Sequence, residues 1–312
     1  MDNPPPPRIA ELSPDQEDIG LRLVLGGLAE SQFLQEVAML RALVQRQPLS
    51  GYRVWGAFRA EEMTGSLLIQ TQPGRTAVIW PPQIVAGEPQ ETVCQLLRAG
   101  LKHLPQLGIR MVQALLPTDV GADAKSLVAV GFRYLSDLLY LVCLADEFPT
   151  SPPCLKLQFE PYAPTRHARF AELVDATYKD SLDCPAVNGV RSVDDVLQGY
   201  RATGHFDPER WFIIHHQSEE IGCLILTDYP ENAIWELIYM GLLPTARGRG
   251  LGVEIVRHAL WLAGQASRNR LVLAVDAANG PALRMYAAAG FQAWDRKSVY
   301  ILVLNENGSM VK

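Results

Sequence analysis

Residues 235–262 read WELIYMGLLPTARGRGLGVEIVRHALWL. A strand pattern from Trp235 to Leu243 stops at Pro244, and Arg247, Gly248, Arg249, Gly250, Leu251 and Gly252 follow. Helical spacing then begins at Val253, Val256, Ala259 and Leu260. The first turn of a helix leaves backbone N–H groups without partners, and its dipole end is positive. Glycines there remove the Cβ atoms that would hold a bulky anion away. The loop therefore suits a diphosphate, with Arg247 and Arg249 expected to add charge at its rim.

Other glycine-rich turns fit less well. A turn without a ligand gains nothing from three glycines, each of which weakens a helix. A dinucleotide fold would use Asp276 at the end of the next strand, but it needs G-x-G-x-x-G directly after the first strand. Here the third glycine is misplaced, and Pro244 to Arg247 intervene. A P-loop fails because no Gly-Lys-Ser/Thr follows.

Outward from this loop the chain repeats itself. IRMVQALLPTDVGADAKSLVAVGFRYLSDLLYLVCL (109–144) and RNRLVLAVDAANGPALRMYAAAGFQAWDRKSVYILVL (268–304) each carry a strand, a loop, a short helix ending in Gly-Phe, and two strand-like stretches. Gly131-Phe132 falls on Gly290-Phe291 at an offset of 159 without a gap. Two diverged copies of one α/β unit are expected, with an interdomain linker at 148–153 and a flexible proline- and acid-rich leader at 1–18. The expected domains are thus 19–147 and 154–312. In the second, Leu155–Phe159 reads as a strand and 165–180 as a helix. Ser192 with Asp195 reads as a helix cap, Trp211–Ile214 with Ile221–Leu226 as a hairpin, and 291–304 as two final strands.

Pro-x-x-Arg-Gly-x-Gly-x-Gly after an apolar strand resembles the acyl-CoA-binding motif of the GNAT N-acetyltransferase superfamily. A second signature of that family follows in order, as Asn279, Ala282, Leu283, Tyr286 and Gly290-Phe291. The resemblance covers roughly 154–304, and two motifs at this separation are more specific than either alone. The tandem arrangement is similar to that of mycothiol synthases, although no motif here identifies that substrate. The resemblance implies two tandem α/β (α+β) GNAT-like domains, each a mixed, mostly antiparallel sheet flanked by helices. It implies acetyl-CoA as cosubstrate, with its diphosphate on the amides of Arg247–Gly252 and its pantetheine arm along Met240, Leu242 and Leu243. Asn279 would contact that arm, and the Leu242 amide would polarise the thioester carbonyl.

Amine acetylation also needs an acid and a base. Tyr286 stands at the family's usual general-acid position, and a phenol can share a proton with a departing thiolate. Glu236 is the base candidate, because it precedes Leu242 by six residues and a regular strand would place both side chains on one face. Asp183, Cys184, Asn188, His205 and Trp211 lie in the stretch that the family varies most, so they are the candidate acceptor contacts. The expected function is acetyl transfer from acetyl-CoA to a primary amine by direct attack, with a non-catalytic acyl-CoA sensor as the alternative. A longer acyl group is a third reading of the same fold.

In the first copy Leu127 stands where the second has Tyr286, and Val120 stands opposite Asn279. Aligned on Pro82, the stretch WPPQIVAGEPQETVCQLL (80–97) puts Val85, Glu88 and Gln90 opposite Arg247, Gly250 and Gly252. Glu88 and Glu91 would repel phosphate, so the first domain is expected to keep the fold without turnover.

Composition narrows the partners. The chain has 312 residues, a net charge of −6 and 48% apolar residues, and neither half is basic enough to clamp nucleic acid by charge. No run approaches the roughly 18 apolar residues of a membrane span. Five cysteines without a CxxC pair argue against a zinc site or a disulfide framework, so no metal and a reducing cytoplasm are expected. The partner expected is a small-molecule or protein amine, with no nucleic acid and no membrane.

Overall fold

Each half of the chain lays down the same succession of elements, strand, two helices, three strands, helix, strand, helix, strand. The computed structural model describes residues 5–46, 51–118, 121–153 and 156–305. The first half contains β1 (Arg8–Glu11), α1 (Pro14–Val24), α2 (Glu30–Arg46), β2 (Gly51–Arg59), β3 (Glu62–Gln72) and β4 (Thr76–Ile84). It ends with α3 (Glu91–Leu101), β5 (Met111–Pro117), α4 (Gly121–Ala129) and β6 (Arg133–Leu144). The second half contains β7 (Leu157–Pro161), α5 (His167–Tyr178), α6 (Val193–Ala202), β8 (Trp211–His216), β9 (Glu219–Tyr229) and β10 (Ile234–Leu242). It ends with α7 (Leu251–Gln265), β11 (Arg270–Asp276), α8 (Gly280–Ala288) and β12 (Gln292–Val303).

The repeat is exact to the hydrogen bond at the Gly-Phe corner. Phe132 N–H donates to Leu127 O at 3.1 Å, and Phe291 N–H donates to Tyr286 O at 3.1 Å. Gly131 and Gly290 turn the chain there with φ of 102° and 93°, backbone that other residues rarely adopt.

The chain divides into two compact units, Met1–Leu135 with Ser298–Lys312, and Ser136–Lys297. The stretch 148–153, expected to link domains, lies inside the second unit. The last strand of each copy explains the shift. From Leu138 onward β6 pairs antiparallel with β11, both within the second unit. From Ser298 onward β12 belongs to the first unit, where Leu304 N–H bonds Arg110 O at 2.8 Å. Each closing segment, 133–144 and 292–303, is one strand and not the two expected. Neither contains a glycine, proline or asparagine that would reverse the chain. The leader is also corrected. Residues 8–11 pair antiparallel with β2, and 14–24 form a helix that buries Gly20, Leu21 and Val24, because Leu12, Leu21 and Val24 share one apolar core with α2. Residues 1–4, Val120 and Cys154 lie outside the described residues.

In the second unit the strand order is β7-β8-β9-β10-β11-β6, followed by the first part of β12. Helices α5 and α6 cover one face through Phe170, Val174, Leu197, Trp211 and Ile225. Helices α7 and α8 cover the other through Ile255, Val256, Leu260, Leu271 and Phe291. Alternation along β9, with Leu224 and Leu226 on one side and Cys223 and Ile225 on the other, feeds both cores. Strand β10 pairs antiparallel with β9 and parallel with β11. The parallel register covers only Ile234–Glu236 against Arg270–Val272. The first unit repeats this layout, with α1 and α2 over one face and α3 and α4 over the other. There the parallel pairing of β4 with β5 runs only from Thr76–Val78 against Met111–Gln113.

Candidate active site

Beyond Glu236 and Val272, β10 and β11 have no paired register, and a cavity of about 500 Å3 opens along Leu237–Leu242 and Ala274–Val275. Its wall continues over Gly248, Gly250, Leu251, Gly252 and Val253 at the start of α7. The ladder explains which backbone groups face the gap. Leu243 N–H bonds Ile221 O at 2.8 Å in β9, so the neighbouring Leu242 N–H turns the other way, toward β11.

The loop before α7 is open. Gly248 and Gly250 have φ of 72° and 76°, and a Cβ on either would meet nothing within 4 Å. Their left-handed backbone bends the chain so that successive amides curve around the helix end. Gly252 serves differently, since a Cβ there would lie 2.5 Å from Met285 Sδ. It lets the first turn of α7 approach α8. Helix α7 is held by Leu251, Ile255, Val256, Ala259, Leu260 and Ala263, all buried on one stripe.

The arginines depart from expectation. Arg247 lines the cavity, but its guanidinium is spent on three carbonyls: Leu242 O at 3.0 Å, Thr177 O at 2.9 Å and Asp180 O at 2.8 Å. Its amide is also taken, by Pro244 O at 3.3 Å. A planar fork with several donors suits this stapling role. Arg247 thus ties the end of β10 to the chain leaving α5. Arg249 is exposed and does not line the cavity. Leu243 packs with the α5 and α6 core, and its N–H is bound to β9, so it does not line the cavity either.

Tyr286 lines the cavity beside Met240, Leu242 and Asn279. Its ring packs edge-on against Phe291 at 5.5 Å. Burial, with a further contribution from the charge of Asp183, pushes its phenol well above the usual range, so it stays protonated. Asn279 caps α8, with its side-chain oxygen accepting from Ala282 N–H at 3.3 Å.

Glu236 is a correction. The register of β10 against β9 slips between Leu237 and Tyr239, and this bulge breaks the alternation. Trp235 and Leu237 before it, and Met240 and Leu242 after it, all face the α7 and α8 core. Glu236 therefore stands on the opposite face from Leu242 and does not line the cavity. Its carboxylate accepts from Tyr229 OH at 2.9 Å, and burial raises its pKa. The raised pKa sets a sign. Between the ordinary and the raised value the folded chain binds the extra proton, so this group's contribution to stability falls as pH rises through that window. Glu236→Gln removes the cost of the buried charge. We expect turnover within about threefold of the unsubstituted chain and a higher Tm at pH 8 than at pH 4 relative to it, read by thermal melts.

The acceptor candidates separate. Asp183 lines the cavity and accepts from Asp276 N–H at 3.0 Å. Cys184 follows it with φ of 44°, its N–H bonds Asp276 Oδ2 at 3.1 Å, and burial pushes its thiol up to about 12. It does not line the cavity, and a thiol so protonated is a poor nucleophile. Asn188 is exposed and donates to Tyr178 O at 3.2 Å. His205 bonds the backbone of Asp228 at 2.8 Å, at the opposite end of β9 from Gly222, and lies 3.6 Å from Glu231. Trp211 is fully buried and stacked on Phe170. Neither His205 nor Trp211 lines the cavity. A varied stretch of sequence cannot reveal which of its residues return to the sheet. Thr177 and Tyr239, whose hydroxyls lie 2.8 Å apart, do line the cavity. Only the bulge sets where Tyr239 points, and no sequence pattern announces it.

In the first unit the matching loop carries an ion pair. The Glu88 carboxylate, 3% exposed, accepts two hydrogen bonds from the Arg59 guanidinium at 2.8 Å and one from Thr92. Glu88 does not project as a repelling charge; with Arg59 it takes up the space beside the start of α3. Leu127 is buried where the second unit has Tyr286.

Residues 174–291, all within the second unit, match the Acetyltransferase (GNAT) family. A mycothiol acetyltransferase of Streptomyces bingchenggensis is 31% identical over 96 residues, which cover 30% of this chain and 31% of that protein. The matched stretch thus spans about a third of the relative's length. A GCN5-related N-acetyltransferase from Sphaerobacter thermophilus superposes with a TM-score of 0.61 at 14% identity, over 96% of both chains. A tandem GNAT protein from the clavulanic acid biosynthesis pathway gives 0.53 at 15% identity, over 94% of this chain and 97% of its own. At these identities the two structures bear on the fold. Among the described residues no helix is long and apolar enough to cross a membrane.

Proposed function

We propose that this chain is an N-acetyltransferase that moves an acetyl group from acetyl-CoA to a primary amine by direct attack, with the second unit catalytic. The observation that carries this reading is a single cavity lined by Gly248, Gly250, Leu251 and Gly252, by Leu242, and by Tyr286, whose phenol burial keeps protonated. The amides would hold the diphosphate, each helix-end contact contributing about 0.3–2 kcal/mol. Met240 and Leu242 would flank the pantetheine arm in the gap between β10 and β11, and Leu242 N–H would face the thioester oxygen. Tyr286 would protonate the leaving sulfur. The mycothiol acetyltransferase relatives support acetyl transfer, and no residue of this cavity singles out their substrate. The first unit, with Glu88 and Arg59 across its loop and Leu127 in place of a phenol, keeps the fold and supplies no turnover. The localisation this reading favours is the cytoplasm, where acetyl-CoA and reduced cysteines coexist.

Titration calorimetry with acetyl-CoA tests the first part on the full chain, since the closing strands cross the boundary between the halves. Micromolar binding is expected, and silence overturns the reading. Thiol release with a panel of primary amines tests the second. Binding without turnover of any amine would favour an acyl-CoA sensor.

A further inference from the structure

With Glu236 turned away, the cavity needs another group to handle the amine, and its far wall provides one. Asp183 is held in place from three directions. Its Oδ1 accepts from Asp276 N–H at 3.0 Å, its own N–H donates to Ser181 Oγ at 3.1 Å, and the Asn279 side chain bonds its carboxyl. Asp276 is occupied elsewhere, accepting from Cys184 N–H at 3.1 Å and Ala278 N–H at 2.8 Å. The chain that carries Asp183 is also anchored, because Arg247 binds the carbonyls of Thr177 and Asp180. Asp183 and Tyr286 line the same cavity, and the charge of Asp183 reaches the Tyr286 phenol.

We propose that Asp183 is a catalytic residue that binds the acceptor as an alkylammonium ion and removes its proton. This inference rests on the acetyltransferase reading and names the acceptor class for the same site: amines that are protonated at neutral pH. The titratable groups coupled to Asp183 are Asp276 on β11, Cys184 beside it, Tyr286 on α8, Tyr239 on β10 and Tyr200 on α6. None of these is a cation, and Arg247, which lines the same cavity, spends its guanidinium on three carbonyls, so an ammonium ion would supply the positive partner. Burial raises the Asp183 pKa, and the Asp276 charge adds to it, while the bonds from Asp276 N–H and Asn279 oppose it. The net effect moves the group toward the basicity a proton acceptor needs.

The protons and electrons balance as follows. Asp183 takes one proton from R–NH3+, which frees the nitrogen lone pair to form the C–N bond at the thioester carbonyl carbon. The C–S bond breaks, its electron pair leaves on sulfur, and Tyr286 gives that sulfur a proton. The second proton lost from nitrogen restores Tyr286, and Asp183 releases its proton to solvent. One proton appears per acetyl group transferred.

Asp183→Asn is the discriminating variant, because an asparagine oxygen can still accept from Asp276 N–H. Tested on the full chain, the probes are acetyl-CoA with a set of alkylamines (spermidine, tryptamine, glucosamine) and with an arylamine that is uncharged at neutral pH. We expect acetyl-CoA binding within about threefold and a fall of about 10²-fold or more in kcat/KM for the alkylamine that turns over best. Loss on the arylamine should be at least about 10-fold smaller, since it needs no deprotonation before attack. The acid limb of the pH profile should also change. Equal losses on both amine classes, or alkylamine turnover within about threefold with the same pH profile, would overturn the assignment to Asp183 while leaving the acetyltransferase reading intact. Turnover of no amine by the unsubstituted chain would overturn both.

Discussion

Replacing Tyr286 with phenylalanine is expected to lower kcat for amine acetylation by about 10²–10³-fold while acetyl-CoA affinity stays within about threefold. The ring is 6% exposed and packs on Phe291, and a phenylalanine ring fills the same space, so the fold should be unaffected. What disappears is one hydroxyl. Burial keeps that hydroxyl protonated through the neutral range, which is the state a general acid needs. Sulfur leaving as an anion into a largely apolar cavity is costly, and proton donation lowers that cost in the transition state but not in the bound ground state. The split between kcat and affinity is therefore the signature to measure, by thiol release and by calorimetry on the same preparation. Unchanged turnover would remove Tyr286 as the acid.

Gly250→Glu is expected to weaken acetyl-CoA binding by about 100-fold or more, corresponding to roughly 3 kcal/mol. The first unit suggests the substitution, since Glu88 is the aligned residue there. Two effects add. A non-glycine residue at φ of 76° is strained, and the new carboxylate would stand over the amides that would otherwise receive phosphate oxygens. The contrast with Glu88 is instructive, because Glu88 is neutralised by Arg59 and tucked away. At position 250 a Cβ would meet nothing within 4 Å, so a glutamate there would project into open space. Calorimetry on the variant, with a thermal melt to confirm folding, checks the result. Retained micromolar affinity would show that the loop before α7 is not where the diphosphate is held.

Much of this architecture was legible in the chain because it depends on short-range patterns. The strand of 234–242, the left-handed glycines and the apolar stripe of α7 are each decided within one or two turns of backbone. The offset of 159 residues marked a repeat, and matching hydrogen bonds at Phe132 and Phe291 carry it into the structure. Ser192 caps α6 as its spacing with Asp195 implied, with the bond at 3.1 Å. The stretch 183–211 carries no motif for the acceptor, and the roles of its residues stayed open at that level.

What the amino-acid order determined by itself was the inventory: two copies of one α/β unit, one with an open glycine collar and a phenol, the other with glutamate and leucine at those places. Tertiary structure alone decided where the side chains point and which segment each strand joins. One bulge at 237–239 reverses the face of Glu236, because strand alternation has a period of two and a single extra residue inverts it. Arg247 became a staple because three carbonyls, distant in sequence, converge on it. Asp183 reached the cavity because the backbone of Asp276, more than ninety residues further along, holds it there.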